Sequence, residues 1–520
     1  MTQRSPNIVI IGGGIAGLCA AVYAAQAGYH VDVLEQHSVP GGLATSWSRG
    51  EFTFETCLHW LVGSNPKGSL HAQWQEVFDI DKLTFIQPEE YLRLENGRGE
   101  ALSIYSDVDR LEVELLKIAP EDRVEIRRFA SAIRRLADFP LLDPGDTWSQ
   151  RVSALLRMGR RLPLLMRWAR MSGDNYGRRF KHPLLKRFFT EGTSGRLSVV
   201  AIVFMLAWMT RANAGYPVGG SKAVISPIVE RLTSLGGQVR VGAKVEAILV
   251  ENDAAVGVRL ASGVTIKADW VISAADGRAT IYDLLGGKYK DAAIDKLYGE
   301  GDTFPSYLQV SLGIASDLSN ESGHLMLVLD SPLMIDPGTS VDALTFRIFH
   351  FDPTFAPRGK TAVTCFLPTY NFSYWVDLQC NEPAHYEEEK RRIADAVVAI
   401  FEKRLSGISA QIEAIDVSTP ASVVRVTGNW KGSMEGWLPT PSAGFGTRRQ
   451  TLPGLRRFLM VGHWVQPGGG LPTGLMTARS AIQSVCGQDG IPFSLPQMRL
   501  NGLYDDANVE PKISAASRLT

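Results

Sequence analysis

Apolar and polar positions along the chain predict a mixed succession of strands and helices. Residues 7–11 form an almost wholly apolar run, the pattern of a parallel strand buried on both faces. The stretch 16–27 is rich in small apolar residues and stops at Gly28, which predicts a helix, and 29–34 predicts a second strand. Between 107 and 139, apolar residues near helical spacing (Val124, Phe129, Ile133, Leu136) predict two helices divided at Pro120. The longest apolar run, 199–209, is too short for the roughly 20 residues of a membrane-spanning helix and reads as a core or interfacial helix. Residues 223–235 predict a helix ended by Gly236 and Gly237, and 238–241 a strand. Residues 256–260 and 265–268 flank Ser262-Gly263 as a hairpin. Two further buried strands are expected at 269–275 and 458–462, the second leading through a glycine turn to a helix over 475–485. From about 288 to 439, β-like and helical patterns alternate.

Chemistry concentrates where strand turns into helix. Gly12, Gly14 and Gly17 stand in Gly-x-Gly-x-x-Gly register between the first strand and the helix, with Ile15 and Ala16 opening that helix. The first glycine allows a tight turn, the second lets backbone approach a pyrophosphate, and the third lets helix pack close on strand. The helix N-terminus would hold the phosphates through its free N–H groups. Glu35 closes the second strand where a ribose 2′-hydroxyl would be accepted, which favours a non-phosphorylated adenine dinucleotide over NADP. A second glycine pair, Gly41-Gly42, follows, then Leu43.

At this point the chain resembles the two-dinucleotide-binding-domain flavoproteins, the set that holds amine oxidases, phytoene desaturases, carotenoid isomerases and retinol saturases. In that set the glycine pair continues the flavin diphosphate site; many members place Arg where this chain has Leu43. The stretch Leu58-His59-Trp60 is similar to the Gly-x-His-Tyr segment of the retinol saturase and carotenoid isomerase branch. The resemblance implies that His59 lies beside the flavin as a proton carrier; the other reading is a packed histidine on an apolar strand. Tyr216 to Ser221 is similar to the Tyr-Pro-x-Gly-Gly turn of phytoene desaturase relatives, and Val245 corresponds to a position whose backbone holds adenine. Gly432 to Trp437 is similar to a Gly-x-x-x-Gly turn near the substrate. Pro467-Gly468-Gly469-Gly470-Leu471-Pro472 is very similar to the phytoene desaturase turn. There Gly462, Gly469, Gly470 and Leu471 are implied cofactor contacts. The implied fold is α/β: a discontinuous Rossmann-type FAD-binding domain (1–95, 215–287 and 440–490) with an inserted α+β substrate domain (96–214 and 288–439) and a loosely held tail (491–520). The implied function is an FAD-dependent oxidoreductase acting on a long hydrophobic isoprenoid, polyene or lipid by desaturation, saturation or isomerisation. The alternatives are a flavin amine oxidase for a small amine and a non-enzymatic prenyl carrier of the Rab GDP-dissociation inhibitor type.

Composition narrows the partners. Lys plus Arg equals Asp plus Glu at 54 each, so no overall field draws nucleic acid. Five scattered cysteines form neither a Cys-x-x-Cys pair nor a metal-binding pattern, which suggests free thiols and no metal. The start of the chain does not read as a secretory signal, so a cytoplasmic location is expected. Residues 151–189 carry eleven Lys or Arg against the single acid Asp174, interleaved with large apolar residues. This fits either peripheral contact with anionic lipid or a solvated basic face. The aromatic group Tyr370, Phe372, Tyr374 and Trp375 reads as a cavity lining or as plain core.

Overall fold

The computed structural model describes residues 6–56, 58–137, 139, 148–444 and 446–493. Cys57 and the tail beyond 493 lie outside the described residues. The first half of the architecture follows from the apolar central strands. β1 (Asn7–Ile11), α1 (Ile15–Gln26), β2 (His30–Leu34), α2 (Gly220–Ser234), β3 (Gln238–Arg240), β4 (Trp270–Ser273), β5 (Phe458–Met460) and α3 (Gly470–Asp489) assemble one layered unit. Its sheet runs β3-β2-β1-β4-β5, every pairing parallel, the strand order of a Rossmann-type sheet. Ile8, Ile10, Val31, Val33 and Ile272 are buried against Leu18, Val22, Leu475 and Ile482 of α1 and α3. A parallel sheet needs cover on both faces, which is why β1, β4 and β5 read as nearly unbroken apolar runs, whereas β2 carries His30 and Asp32 and edge strand β3 reads Gln-Val-Arg. A three-stranded meander (Val245–Glu251, Ala254–Leu260, Thr265–Lys267) contains the expected hairpin and packs on the other face.

The second unit is built on a seven-stranded sheet ordered Ile412–Ser418, Ser306–Ile314, Thr361–Thr369, Thr339–Ile348, His324–Asp336, Glu90–Asn96, Ala101–Tyr105. All its pairings are antiparallel except that between His324–Asp336 and Glu90–Asn96. The sheet therefore takes in Glu90–Asn96 and crosses the boundary drawn at residue 95. Helix Pro383–Arg404 covers one face through Ile393, Val397 and Phe401.

A helical module completes the molecule. Helices Val108–Ile118 and Arg123–Ala137 are separated at Pro120 as the pattern predicts; Asp107 caps the first by accepting from the N–H groups of Asp109 and Arg110. Phe129, Ile133 and Leu136 are buried, whereas Val124 is exposed. Helix Val199–Thr210 is a core helix here, with Val199, Val203, Leu206 and Ala207 buried among Phe129, Ile133 and Phe188. Helix Trp148–Ala169 lies outside it and exposes Trp148, Leu156, Leu162 and Met166. No helix among the described residues is long and apolar enough to cross a membrane.

Candidate active site

The turn after β1 builds the site's floor. Gly12 adopts φ +97° and donates its N–H to the Leu34 carbonyl at 2.8 Å, drawing the turn against the end of β2. A Cβ on Gly17 would stand 2.0 Å from the Gly12 carbonyl oxygen, so only glycine lets α1 start this close to the strand. Glu35, 6% exposed, accepts from the Gly13 N–H at 2.7 Å with one oxygen and from the His37 N–H at 2.8 Å with the other. Its backbone carbonyl accepts from Ala243, which brings residues 243–246 beside it. The second glycine pair docks on the first turn: Gly41 donates to the Gly13 carbonyl at 2.9 Å.

These segments enclose a cavity of about 470 Å³. Gly12, Gly14, Ile15, Ala16, Glu35, Gly41, Gly42, Leu43 and Val245 line it, and Gly462, Gly470 and Leu471 close it from β5 and α3. Chain segments more than 400 residues apart thus meet at one wall. Two expected contacts do not line the cavity. Gly17 serves the helix–strand approach, and Gly469 underlies the Glu435 side chain, an added Cβ there falling 2.5 Å from Glu435 Oε2. Both α1 and α3 begin at the cavity with no side-chain cap and no acidic residue in the first turn. The N–H groups and positive dipole end of α1 are left for an anion, as a dinucleotide pyrophosphate requires, while at α3 the Gly470 N–H is taken by Glu435. The cradle therefore fits FAD by its chemistry.

Three titratable residues on the cavity wall with shifted ionisation, Glu435, His463 and Asp276, escaped sequence reasoning. Glu435 sits where the turn 432–436 meets α3; burial raises its carboxyl to about 7, opposed only by a hydrogen bond from the Gly470 N–H. Burial holds His463 down to about 4, so its ring is neutral near pH 7. Asp276 also faces the cavity, raised by burial to about 6, but its oxygens are taken by the Ala279 and Trp430 N–H groups, each at 2.8 Å. Glu435 is thus the cavity carboxyl best suited to carry a proton near neutrality. The resemblance around 432–437 pointed at the turn; the acid inside it was the available signal.

His59 is elsewhere. It does not line the cavity but packs against the seven-stranded sheet, its ring 5.7 Å from His324 and 5.9 Å from Phe366. Burial, helped by the Arg347 charge, lowers it to about 3, so it is a neutral imidazole. Nor does the aromatic group at 370–375 reach the cavity: Trp375 is buried in the sheet's other core and Tyr370 is half exposed. Among the described residues no cluster of three or more His, Cys, Asp or Glu could hold a metal ion. Cys19, Cys365, Cys380 and Cys486 are free thiols.

The family model for flavin containing amine oxidoreductase matches residues 15–486, the span from the start of α1 almost to the end of α3. The chain belongs to this family. It is an FAD-dependent oxidoreductase, and its fold is that of the flavoenzymes. Prolycopene isomerase of Daucus carota is 26% identical over 499 residues, covering 90% of this chain and 78% of the relative. A lycopene-forming phytoene desaturase of Pseudescherichia vulneris is 25% identical, over 92% of this chain and 99% of its own. Among solved structures, an oxidoreductase of Methanosarcina mazei shares the fold with a TM-score of 0.59 at 17% identity, over 92% of this flavoprotein and 100% of that chain.

Proposed function

We propose that this flavoprotein acts on a long apolar isoprenoid or polyene by desaturation, saturation or cis–trans isomerisation. The observation that carries this reading is similarity, over about nine tenths of the chain, to relatives named for carotenoid conversion. FAD, when bound, supplies the two-electron chemistry. In the same reading Glu35 accepts the ribose hydroxyl, and the backbone around Val245 contacts adenine. Gly12, Gly14, Ile15, Ala16, Gly41, Gly42 and Leu43 surround the pyrophosphate, with Gly17 keeping α1 close. Gly462, Gly470 and Leu471 wall the remaining part, with Gly469 seating Glu435. Glu435 takes up or returns the proton that accompanies a change at carbon. His59, buried and neutral on the sheet, belongs to the substrate side. The discontinuous division into cofactor and substrate domains is part of this reading.

A small-amine substrate finds less support, since relatives similar over about nine tenths of the chain are named for carotenoid conversion. Contact with an anionic membrane surface accompanies the polyene reading, since helix Trp148–Ala169 presents large apolar side chains to solvent within the basic stretch.

The test is anaerobic incubation of the FAD-loaded protein with carotenoid polyenes in detergent micelles, under oxidised and then reduced flavin. Polyene-dependent bleaching or a changed polyene spectrum is expected. An unchanged polyene and flavin in both states, alongside turnover of an amine, would move the function to the amine oxidases.

A further inference from the structure

The seven-stranded sheet has two unlike faces. Leu308, Val310, Leu312, Phe346, Val363 and Leu367 point into the apolar core beneath helix Pro383–Arg404. Alternation along each strand turns their neighbours to the opposite face. On that face the cross-strand register sets Ser311 beside Thr364, Thr364 beside Arg347 and Arg347 beside His324, one polar row over four adjacent strands. Gln309 stands one step along from Ser311. All five are buried, with Arg347 7% exposed.

Glu55 and His59 reach over this row. Gln309 Nε2 donates to the Glu55 carbonyl at 3.0 Å and Arg347 Nη2 to the His59 carbonyl at 3.3 Å. Gln309 Nε2 also donates to Ser311 Oγ at 2.9 Å, and His324 Nδ1 pairs with the Tyr91 carbonyl at 3.0 Å; other polar atoms at the row go unmatched. Arg347 Nε, Thr364 Oγ1, Gln309 Oε1, His59 Nε2 and Glu55 Oε1 are all buried without a hydrogen-bond partner. Native folds leave only a few such atoms per hundred residues, and the gathering of five on one sheet face points to a missing polar ligand. Arg347 makes no ion pair among the described residues. Its neighbours are the rings of Phe349 and Phe351, 5.9 and 5.5 Å away, and the fields of Tyr216, Tyr91 and Glu55. Glu55 commits its other oxygen to the Ser221 N–H at 2.6 Å. An unpaired buried guanidinium is costly, and a planar anion is what removes that cost.

We infer that this row, centred on Arg347, is a recognition site for the carboxylate end of the substrate. The substrate is then an amphiphile, an isoprenoid or polyene acid, not a plain hydrocarbon. A single guanidinium fork matches one carboxylate. A diphosphate would need more cations, and the bases beside it, His59 and His324, are held neutral by burial. The site adjoins the cofactor cavity through a short stretch of chain: Thr56 donates to the carbonyl of Leu43, a cavity residue, at 2.5 Å. The inference rests on the polyene reading for the tail of the molecule and on Arg347 for its head.

Binding to the FAD-loaded protein, read by flavin absorbance and tryptophan fluorescence, tests it with three probes: all-trans-retinoate, retinol of the same skeleton, and decanoate. Retinoate is expected to bind at least tenfold tighter than retinol. Arg347→Met should abolish that difference while retinol affinity stays within twofold, and Arg347→Lys should keep part of it. Equal binding of retinoate and retinol by the wild type overturns the inference and leaves the polyene reading standing. Arg347-dependent binding of decanoate, with neither retinoid bound, supports the anion site and sinks the polyene reading. If Arg347→Met does not fold, retinoate against its methyl ester on the wild-type protein decides: no preference for the free acid overturns the inference.

Discussion

At the scale of single residues, three carboxylates behave differently because their surroundings differ. Glu35 is satisfied by two backbone N–H groups and stands at the cavity edge. Glu35→Ala should weaken FAD retention about tenfold, the worth of a lost charged hydrogen bond, seen as a lower flavin-to-protein absorbance ratio after dialysis. Unchanged flavin content would remove its ribose role. Glu435, raised to about 7, should place an ionisation near pH 7 in the rate profile of the loaded enzyme. Glu435→Gln should erase that ionisation and lower turnover about 100-fold or more, within the range for general acid–base groups. Retained turnover with the same profile would clear Glu435 of proton transfer. Glu55 is raised to about 7 by burial, outweighing the Ser221 hydrogen bonds and the Arg347 charge. Its folded value lies above the ordinary carboxylate value. The stabilisation it gives is therefore complete below about pH 4.5 and is lost as pH rises through 7, at up to about 1.4 kcal/mol per pH unit. Glu55→Gln should melt higher than wild type at pH 8 and close to it at pH 5; a gain at pH 5 instead would contradict this account.

At the scale of elements, α1 is held against β1 and α3 by the absence of side chains. Ala16, Gly17, Ala20, Ala21 and Ala24 make up five of its nine buried positions. Gly17→Val would force the helix off the Gly12 carbonyl and the glycine turn. A loss of about 3 kcal/mol or more is expected, the upper range for an overpacked core, measured by urea unfolding with flavin loss in parallel. A variant with wild-type stability and flavin content would show that the close approach is not required. The run 199–209 illustrates the opposite dependence. Its composition allowed a core or interfacial helix, and the partners Phe129, Ile133 and Phe188 made it core. The sequence pattern had no means of naming those partners.

At the scale of the whole molecule, a layered cofactor unit and a seven-stranded sheet hold the two sites, and a helical module packs outside them. The exposed helix Trp148–Ala169 leaves Trp148, 80% exposed, and Leu156, 68% exposed, without cover. Replacing both by Glu should abolish co-sedimentation with phosphatidylserine vesicles while leaving flavin content and melting temperature unchanged. Equal sedimentation of wild type and variant, or none by either, would remove the membrane-contact proposal.

Much of the cofactor half was legible in the chain because it is written in local spacing. Three glycines, a flanking strand and helix, and an acid at the end of the next strand describe one continuous turn. The short-range geometry of residues 7–35 therefore determines the floor of the cradle, while Val245, Gly462, Gly470 and Leu471 reach it from distant segments. Glu35 lines the cavity for that reason, and the glycine pair at 41–42 does so because Gly41 docks on the Gly13 carbonyl. His59 was chosen by resemblance and lies on the sheet, outside the cavity, while Glu435 went unnoticed inside a turn already singled out. What only the tertiary structure decided is the matching of distant segments. Ser311, Thr364, Arg347 and His324 come from four strands, and their row exists only through sheet register. The shifted carboxyls and histidines exist only through burial, which depends on what folds over them.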